Sequence, residues 1–199
     1  MNRIAGRDDG AFRRPFARRL LLGAMAAAGA VALLPRQAGA ITGSGPEIDA
    51  DATRALQSLY ASDEGAKALG QKAQGILIFP EIAKAGFLIG GAYGEGALRV
   101  GGKTVAYYSS SAASYGLQVG IQRFSYVLFL MTPNAINYLN KSDGWEIGVG
   151  PSIVVADEGF GKKMTTTTLQ AEIYAYIFGQ QGLMAGLGIE GTKILKIDR

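Results

Sequence analysis

Residues 75–99 read GILIFPEIAKAGFLIGGAYGEGALR, and this stretch decides the fold. Short runs of β-branched and aromatic residues alternate with glycine, which is typical of strands that bend, bulge or approach another backbone closely. The sequence therefore predicts seven or eight strands in a strongly curved, barrel-like and mostly antiparallel β-sheet. These strands are expected at 76–79, 86–93, 104–108, 114–121, 126–131, 145–155, 171–178 and 182–191.

Two amphipathic helices are predicted before the strands. Across residues 46–60, apolar side chains recur at helical spacing while three acids and one arginine occupy the other faces. A second helical stretch covers residues 63–73. A threonine and a proline at 132–133 predict a further short helix to about residue 139, because they suit the cap and the first helical position. The fold class is therefore α+β, with N-terminal amphipathic helices.

Residues 1–40 are predicted to be an export signal peptide. An arginine-rich head precedes the apolar run at 20–34, and Ala38-Gly39-Ala40 has the small-x-small form of a signal peptidase site. Fifteen residues fall short of the roughly twenty that span a bilayer, so a retained anchor is less favoured. Cleavage after Ala40 would leave one domain, residues 41–199, in the periplasm.

The arginine pairs of this segment bear on the export route. Arg13-Arg14-Pro15-Phe16 resembles the twin-arginine pattern, and ordinary Sec export with an arginine-rich start is the alternative. Residues 1–40 hold seven of the 20 basic and two of the 16 acidic residues, so 13 and 14 remain and the mature net charge is about −1. Because the basicity lies in the segment to be removed, nucleic-acid binding is not favoured.

The chain has neither histidine nor cysteine. Histidine- and cysteine-based nucleophile systems and the usual zinc ligand sets are therefore excluded, and no enzyme activity, metal or cofactor is expected. Residues 186–191 match GxGxxG, but the following TKILKIDR alternates and predicts a final strand instead of the helix that a dinucleotide site requires. The acidic pairs at 63–64 and 157–158 are interpreted as solvated turns.

Two polar runs and the aromatic residues allow more than one interpretation. The serines at 109–111 are expected to form a flexible turn. The threonines at 165–168, after two lysines, are either a solvated strand edge or a contact for lipid phosphate. Trp145 and seven tyrosines are expected to lie in the core, and the alternative is that they form an aromatic belt at a membrane interface.

Four motifs in this order resemble the SYLF domain family, a lipid-binding module. They are residues 75–99, SYGLQVGIQ at 114–122, GWEIGVGPSIVVADEG at 144–159 and GLMAGLGIEG at 182–191, and the resemblance runs from about Glu47 to Ile197. It implies binding of anionic phospholipid through an amphipathic N-terminal helix and a basic surface. The helix at 46–60 is acidic, so apolar insertion or an internal groove stays open. The alternative function is a structural or envelope-stress domain that binds a protein partner.

The resemblance and the residue chemistry give six candidates for lipid contact. Basic residues of the matching region would contact a head group, and leucines of the helix at 46–60 would insert. Lys84 is preferred among the basic residues, because its apolar neighbours in FPEIAKAGF would let its stem lie along a surface with the charge at the tip. The six are Lys84, Arg99, Lys103, Arg123, Leu56 and Leu59.

Overall fold

The computed structural model describes residues 42–87, 89–115, 120–141, 144–156, 170–182 and 191–199. All of the described residues belong to one compact unit, Gln37–Arg199. The predicted signal peptide, the threonine run with its lysines, the acidic pair at 157–158 and most of the glycine hairpin at 182–191 lie outside the described residues.

The described residues form three helices and one eight-stranded sheet in the order β5-β8-β3-β2-β1-β4-β7-β6. Neighbouring strands are antiparallel except β6 and β7, which are parallel. The sheet curls strongly into half a barrel, which confirms the predicted α+β class. The elements are α1 (Gly45–Ser62), α2 (Glu64–Lys72), β1 (Gly75–Phe87), β2 (Ile89–Val100), β3 (Lys103–Tyr115), β4 (Gly120–Leu130), α3 (Pro133–Leu139), β5 (Trp145–Glu146), β6 (Ile153–Ala156), β7 (Ile173–Gly182) and β8 (Lys193–Ile197).

Each face of the sheet carries its own hydrophobic core, because alternate strand residues point to opposite faces. On the face that we call the α3 face, residues such as Leu77, Phe79 and Tyr126 pack with α3 and with Trp145. On the α1 face, α1 and α2 cover residues such as Phe129. Trp145 and the tyrosines at 108, 126, 174 and 176 are buried, so the core interpretation is confirmed for these five.

A β-bulge interrupts β1 at Pro80. Phe79 lies opposite Tyr126 and Ile82 lies opposite Phe124, so β1 has one more residue here than β4. Proline suits a bulge because it cannot donate a ladder hydrogen bond. The neighbouring strand β2 has glycine at 94, where a Cβ would lie 2.2 Å from the carbonyl oxygen of Glu81. The glycine therefore allows the two backbones to approach at the bulge.

Polar contacts fix α1 to strands β2 and β3. The Asp49 carboxylate accepts hydrogen bonds from the Thr104 hydroxyl at 2.6 Å and the Tyr107 hydroxyl at 3.0 Å. Arg99 donates to the Asp49 carbonyl at 2.9 Å and to the Thr53 hydroxyl at 2.7 Å. The pKa of Tyr107 is raised, chiefly because its phenol is partly removed from water. Its hydrogen bond to the Asp49 carboxylate raises the pKa further. These hydrogen bonds fix the position of α1 on the sheet more specifically than apolar packing alone would.

The strand boundaries differ from the predicted ones in four places. The predicted strand at 86–93 is wrong, since residues 86 and 87 belong to β1 and residues from 89 onward belong to β2. The predicted strand at 114–121 is wrong, since its first residues belong to β3 and its last residues belong to β4, which are not neighbours in the sheet. The predicted strand at 145–155 is two strands, because glycines with positive φ at 148 and 150 turn the chain and the Trp145 indole donates to the Val149 carbonyl at 2.9 Å. The serines at 109–111 lie inside β3 and not in a turn, because Ser109 and Ser110 are buried between β2 and β8.

Candidate functional site

Among the described residues, which leave out 183–190 between β7 and β8, strands β1 to β4 continue past the strands that flank them. β8 begins opposite Ser111, whereas β3 continues to Tyr115, and the last residue of β7 pairs with Gln122 of β4. The four residues of β3 beyond Ser111 span about 13 Å at the usual rise of a strand. We call this region, residues 83–94, 110–115 and 120–122, the distal sheet end.

The α1 face of the distal sheet end exposes apolar side chains. Ile89 is 67% exposed and Ile121 is 66% exposed. Ile121 lies opposite Ala85, which in turn lies opposite Gly91, so small exposed residues continue the surface across three strands. Contiguous exposed apolar surface of this kind marks an interaction site more often than an isolated exposed residue does.

The distal sheet end carries very little charge. Among its described residues Lys84 is the one charged side chain. The acidic residues at its border are already paired: Glu81 forms an ion pair with Arg123, and Glu95 forms one with Arg199. The described part of the distal sheet end is therefore apolar on its α1 face and carries a single cation, Lys84, on its α3 face.

On the α3 face of the same region, Lys84 lies directly opposite Gln122 in the pairing of β1 with β4. Gln122 is only 4% exposed, and its Oε1 atom has no hydrogen-bond partner among the residues that the structure describes. A buried acceptor without a donor costs about 1–3 kcal/mol. Lys84 and Gln122 thus place a cation and a buried, unsatisfied acceptor on neighbouring strands.

The other three predicted basic residues do not join Lys84. Arg123 borders the distal sheet end but points to the α1 face, where it pairs with Glu81. Arg99 is engaged with α1 through Asp49 and Thr53. Lys103 is exposed at the opposite end of the sheet, where Gly101 and Gly102, both with positive φ, form the tight turn between β2 and β3.

The two predicted leucines of α1 lie against the sheet. Leu59 is 2% exposed and belongs to the core of the α1 face, and Leu56 is partly buried and packs against the same core. Insertion of these leucines into a membrane would therefore require α1 to leave the sheet. Among the described residues, no helix has the length and apolar character needed to cross a bilayer.

A cleft runs along α1 beside β7, and lipid would bind here under the internal-groove alternative. One part has a volume of about 350 Å³ and is lined by residues that include Arg54, Arg123 and Phe178. An adjoining part of about 600 Å³ shares Ser58 and Phe178 with it. Arg54 forms an ion pair with Asp51, and Arg123 forms one with Glu81. The positive charge of each arginine in the cleft is therefore already neutralised.

Three residues of the site were not among the predicted contacts: Ile89, Ile121 and Gln122. The glycine-rich segments GFLIGGAY at 86–93 and SYGLQVGI at 114–121 contain the two isoleucines. A sequence signal for Ile89 exists in the absence of charge from 85 to 94, but alternation alone does not tell which apolar side chains stay uncovered.

One comparison with known proteins bears on the family. Residues 111–198 match the family model described as Ysc84, Las17-binding protein actin regulator. No curated protein matches the chain. The matched residues run from the last part of β3 through β8 and include three of the four motifs in full. The match confirms the resemblance seen in the motifs, and over residues 111–198 it is consistent with a SYLF (Ysc84) family assignment.

Proposed function

We propose that the mature chain is an exported, non-enzymatic module that binds phospholipid and associates with membranes. The observation that carries the proposal is the pairing of Lys84 with Gln122 at a sheet end that is otherwise uncharged. The family match supports a lipid-binding or actin-regulator-associated module, and the distal sheet end supplies chemistry for the first of these two.

The two side chains suit complementary parts of a phospholipid head group. The Lys84 ammonium would attract the phosphate, as a compact point charge with three donors. Gln122 Oε1 would accept a hydrogen bond from a head-group hydroxyl or ammonium, which would satisfy its buried lone pairs. An anionic phospholipid with a hydroxylated head group, such as phosphatidylglycerol, fits both roles.

The proposed location is the periplasm, reached by the signal peptide at 1–40. Its arginine pair, apolar run and small-x-small site support export, with the twin-arginine route favoured over Sec. The lipid surface would then be a membrane that faces the periplasm.

Vesicle co-sedimentation tests the proposal. The chain from Ile41, which contains each described helix and strand, is mixed with phosphatidylcholine vesicles with and without phosphatidylglycerol, at low and high salt. We expect binding to the anionic vesicles, and a several-fold loss for Lys84→Gln. Lys103→Gln is the matched control, since it removes the same charge from the opposite end of the sheet. Failure of the wild type to sediment with either vesicle would overturn the proposal.

A second candidate function is a structural or envelope-stress domain that binds another protein without lipid. The specific observation in its favour is that the apolar face of α1, including Leu59, packs in the core and is not presented to a membrane. The family description also names a protein-binding role for its members. Absence of vesicle binding by a correctly folded wild type would favour this function.

A further inference from the structure

We propose that the cleft between α1 and β7 binds one molecule of a single-chain amphiphile with a zwitterionic head group, of the lysophospholipid class. The inference goes beyond the proposed attachment to membranes and does not rest on it. It concerns a single lipid molecule held between a helix and the sheet, at a site that Lys84 and Gln122 do not line.

Two irregularities of the sheet lie at the same level beneath this cleft. β1 carries the bulge at Pro80 on one side of β4. On the other side of β4, the pairing with β7 shifts between Arg123 and Ser125, where β7 has one residue more than β4 and Gly179 has a φ of +64°. The Ser125 hydroxyl connects the two irregularities by donating to the Pro80 carbonyl at 2.6 Å. Bulges often accompany binding sites, because they redirect the neighbouring side chains.

The cleft has a polar part and an apolar part. The apolar part, of about 600 Å³, is lined by residues of α1 and β6 that include Leu59, Val155 and Ala156. Ser58 and Phe178 also line the polar part, of about 350 Å³, so the two parts are continuous. The charged residues of the polar part come from α1, β1 and β4. They are Asp51, Arg54, Glu81 and Arg123. Volumes of this size hold small ligands, and the division into two parts suits an amphiphile.

The length of the cleft suits a head group with the first part of one acyl chain. The lining residues of α1 run from Asp51 to Asp63, which is about 18 Å at the rise of a helix. One leaflet of a bilayer core, by comparison, is roughly 15 Å deep. The Asp63 carboxylate at the apolar end already accepts the N–H of Ala66 as the cap of α2. The head group is therefore assigned to the polar end.

The charges of the polar end favour a zwitterionic head group over an anionic one. Its two ion pairs, Asp51 with Arg54 and Glu81 with Arg123, sum to zero charge. All four side chains keep a quarter or more of their surface exposed, so a ligand can reach them. A phosphate accepts from the N–H groups that each guanidinium keeps outside its ion pair, and an attached ammonium donates to the carboxylates. An anionic head group would meet the carboxylates without such a donor.

Calorimetric titration of the chain from Ile41 with lysophosphatidylethanolamine tests the inference. The ligand is kept below its critical micelle concentration, because a monomer separates binding in the cleft from attachment to a lipid surface. Lysophosphatidylglycerol with the same acyl chain is the anionic comparison. We expect the wild type to bind the zwitterionic ligand about fivefold more tightly.

A cleft-filling variant shows where the ligand binds. Ser58→Trp is expected to abolish binding, because Ser58 is exposed and borders both parts, so an indole would occupy the cleft without entering the core. Gln57→Trp is the matched control, since it adds the same side chain at the next exposed position of α1, which is not among the described lining residues. Both variants should keep the melting temperature of the wild type.

A charge variant tests the head-group assignment. Asp51→Asn with Glu81→Gln removes both carboxylates and leaves the two arginines unneutralised, so we expect it to reverse the preference in favour of lysophosphatidylglycerol. The inference is overturned if the wild type binds neither ligand or prefers the anionic one. It is also overturned if Ser58→Trp binds normally or the double variant keeps the wild-type preference. Lys84→Gln should leave this binding unchanged, so a failure here is distinguishable from a failure of the proposed vesicle binding.

Discussion

The Glu95 carboxylate of β2 accepts a hydrogen bond from Nε of Arg199, 104 residues further along the chain, at 3.0 Å. The same carboxylate accepts from the Tyr93 hydroxyl at 2.9 Å and from the backbone N–H of Gly43 at 3.3 Å. Its side chain is 1% exposed. One buried carboxylate therefore connects β2 to the residues just before α1 and just after β8.

This cluster predicts an acid-sensitive contribution to stability. Burial raises the pKa of Glu95, but hydrogen bonds from Arg199, Tyr93 and Gly43 outweigh burial and hold its pKa below the ordinary value of 4.5. The contribution is therefore present above about pH 4.5 and is lost as the pH falls through the lowered folded-state pKa. We expect Glu95→Gln to lower the free energy of unfolding at neutral pH by about 1–3 kcal/mol. The melting temperature of this variant should also fall less steeply than that of the wild type as the pH is lowered into the acid range. An acid limb identical to that of the wild type would contradict this role.

The burial of Leu59 predicts that charge on this side of α1 unfolds the domain. Leu59→Glu is expected to cost several kcal/mol, because a carboxylate would be buried without a partner, and Leu56→Glu is expected to cost less because Leu56 is only partly buried. Thermal unfolding measures both, and Gln57→Glu, an exposed position on the same helix, controls for the added charge. If Leu56→Glu with Leu59→Glu removes vesicle binding at an unchanged melting temperature, α1 itself inserts.

The bulge in β1 predicts different outcomes for two nearby glycines. A Cβ at Gly94 would lie 2.2 Å from the Glu81 carbonyl oxygen, whereas the nearest atom to a Cβ at Gly91 is 3.6 Å away. Gly94→Ala is therefore expected to destabilise the domain by about 1–3 kcal/mol. Gly91→Ala is expected to be neutral or slightly stabilising, since it reduces the freedom of the unfolded chain. Equal melting temperatures for the two variants would show that the backbones can separate at the bulge without cost.

Export gives a prediction for the N-terminal segment. The mature chain is expected to begin at Ile41, which the intact mass of the periplasmic protein measures. Replacement of Arg13 and Arg14 by lysine should block export if the twin-arginine route is used, and Arg18 and Arg19 must be tested as a substitute pair. Recovery of only the full-length chain embedded in membrane would contradict cleavage.

Local signals explain why the helices were predictable from sequence. Asp63 accepts a hydrogen bond from the N–H of Ala66 at 2.8 Å, and the Thr132 hydroxyl accepts one from the N–H of Ala135 at 3.2 Å, so both caps act within one turn. Periodicity likewise showed that α1 has an apolar stripe. It does not tell whether a sheet or a membrane covers that stripe, since the partners of Leu59 are distant in sequence.

The candidate site was predicted only in part for the same reason. Lys84 was chosen from its immediate neighbours, but Gln122 lies 38 residues away and becomes its partner through the register of β1 with β4. Which apolar side chains stay exposed, Ile89 and Ile121 among them, likewise follows from packing between elements that are distant in sequence. Pairing across the sheet thus decides the site, and no short window of sequence contains it.

The extra residue at Pro80 determines which side chains of β1 point to each face of the sheet. Without the bulge, the alternation that begins at Leu77 and Phe79 would send Glu81 into the core beside Phe124, and Ile82 and Lys84 would turn to the side of α1. With it, Ile82 fills the position opposite Phe124 and Lys84 follows toward Gln122. Loss of one residue at 80 or 81 would consequently leave the register downstream intact, so chain length at this point is free to vary by one while the faces of the distal sheet end stay the same.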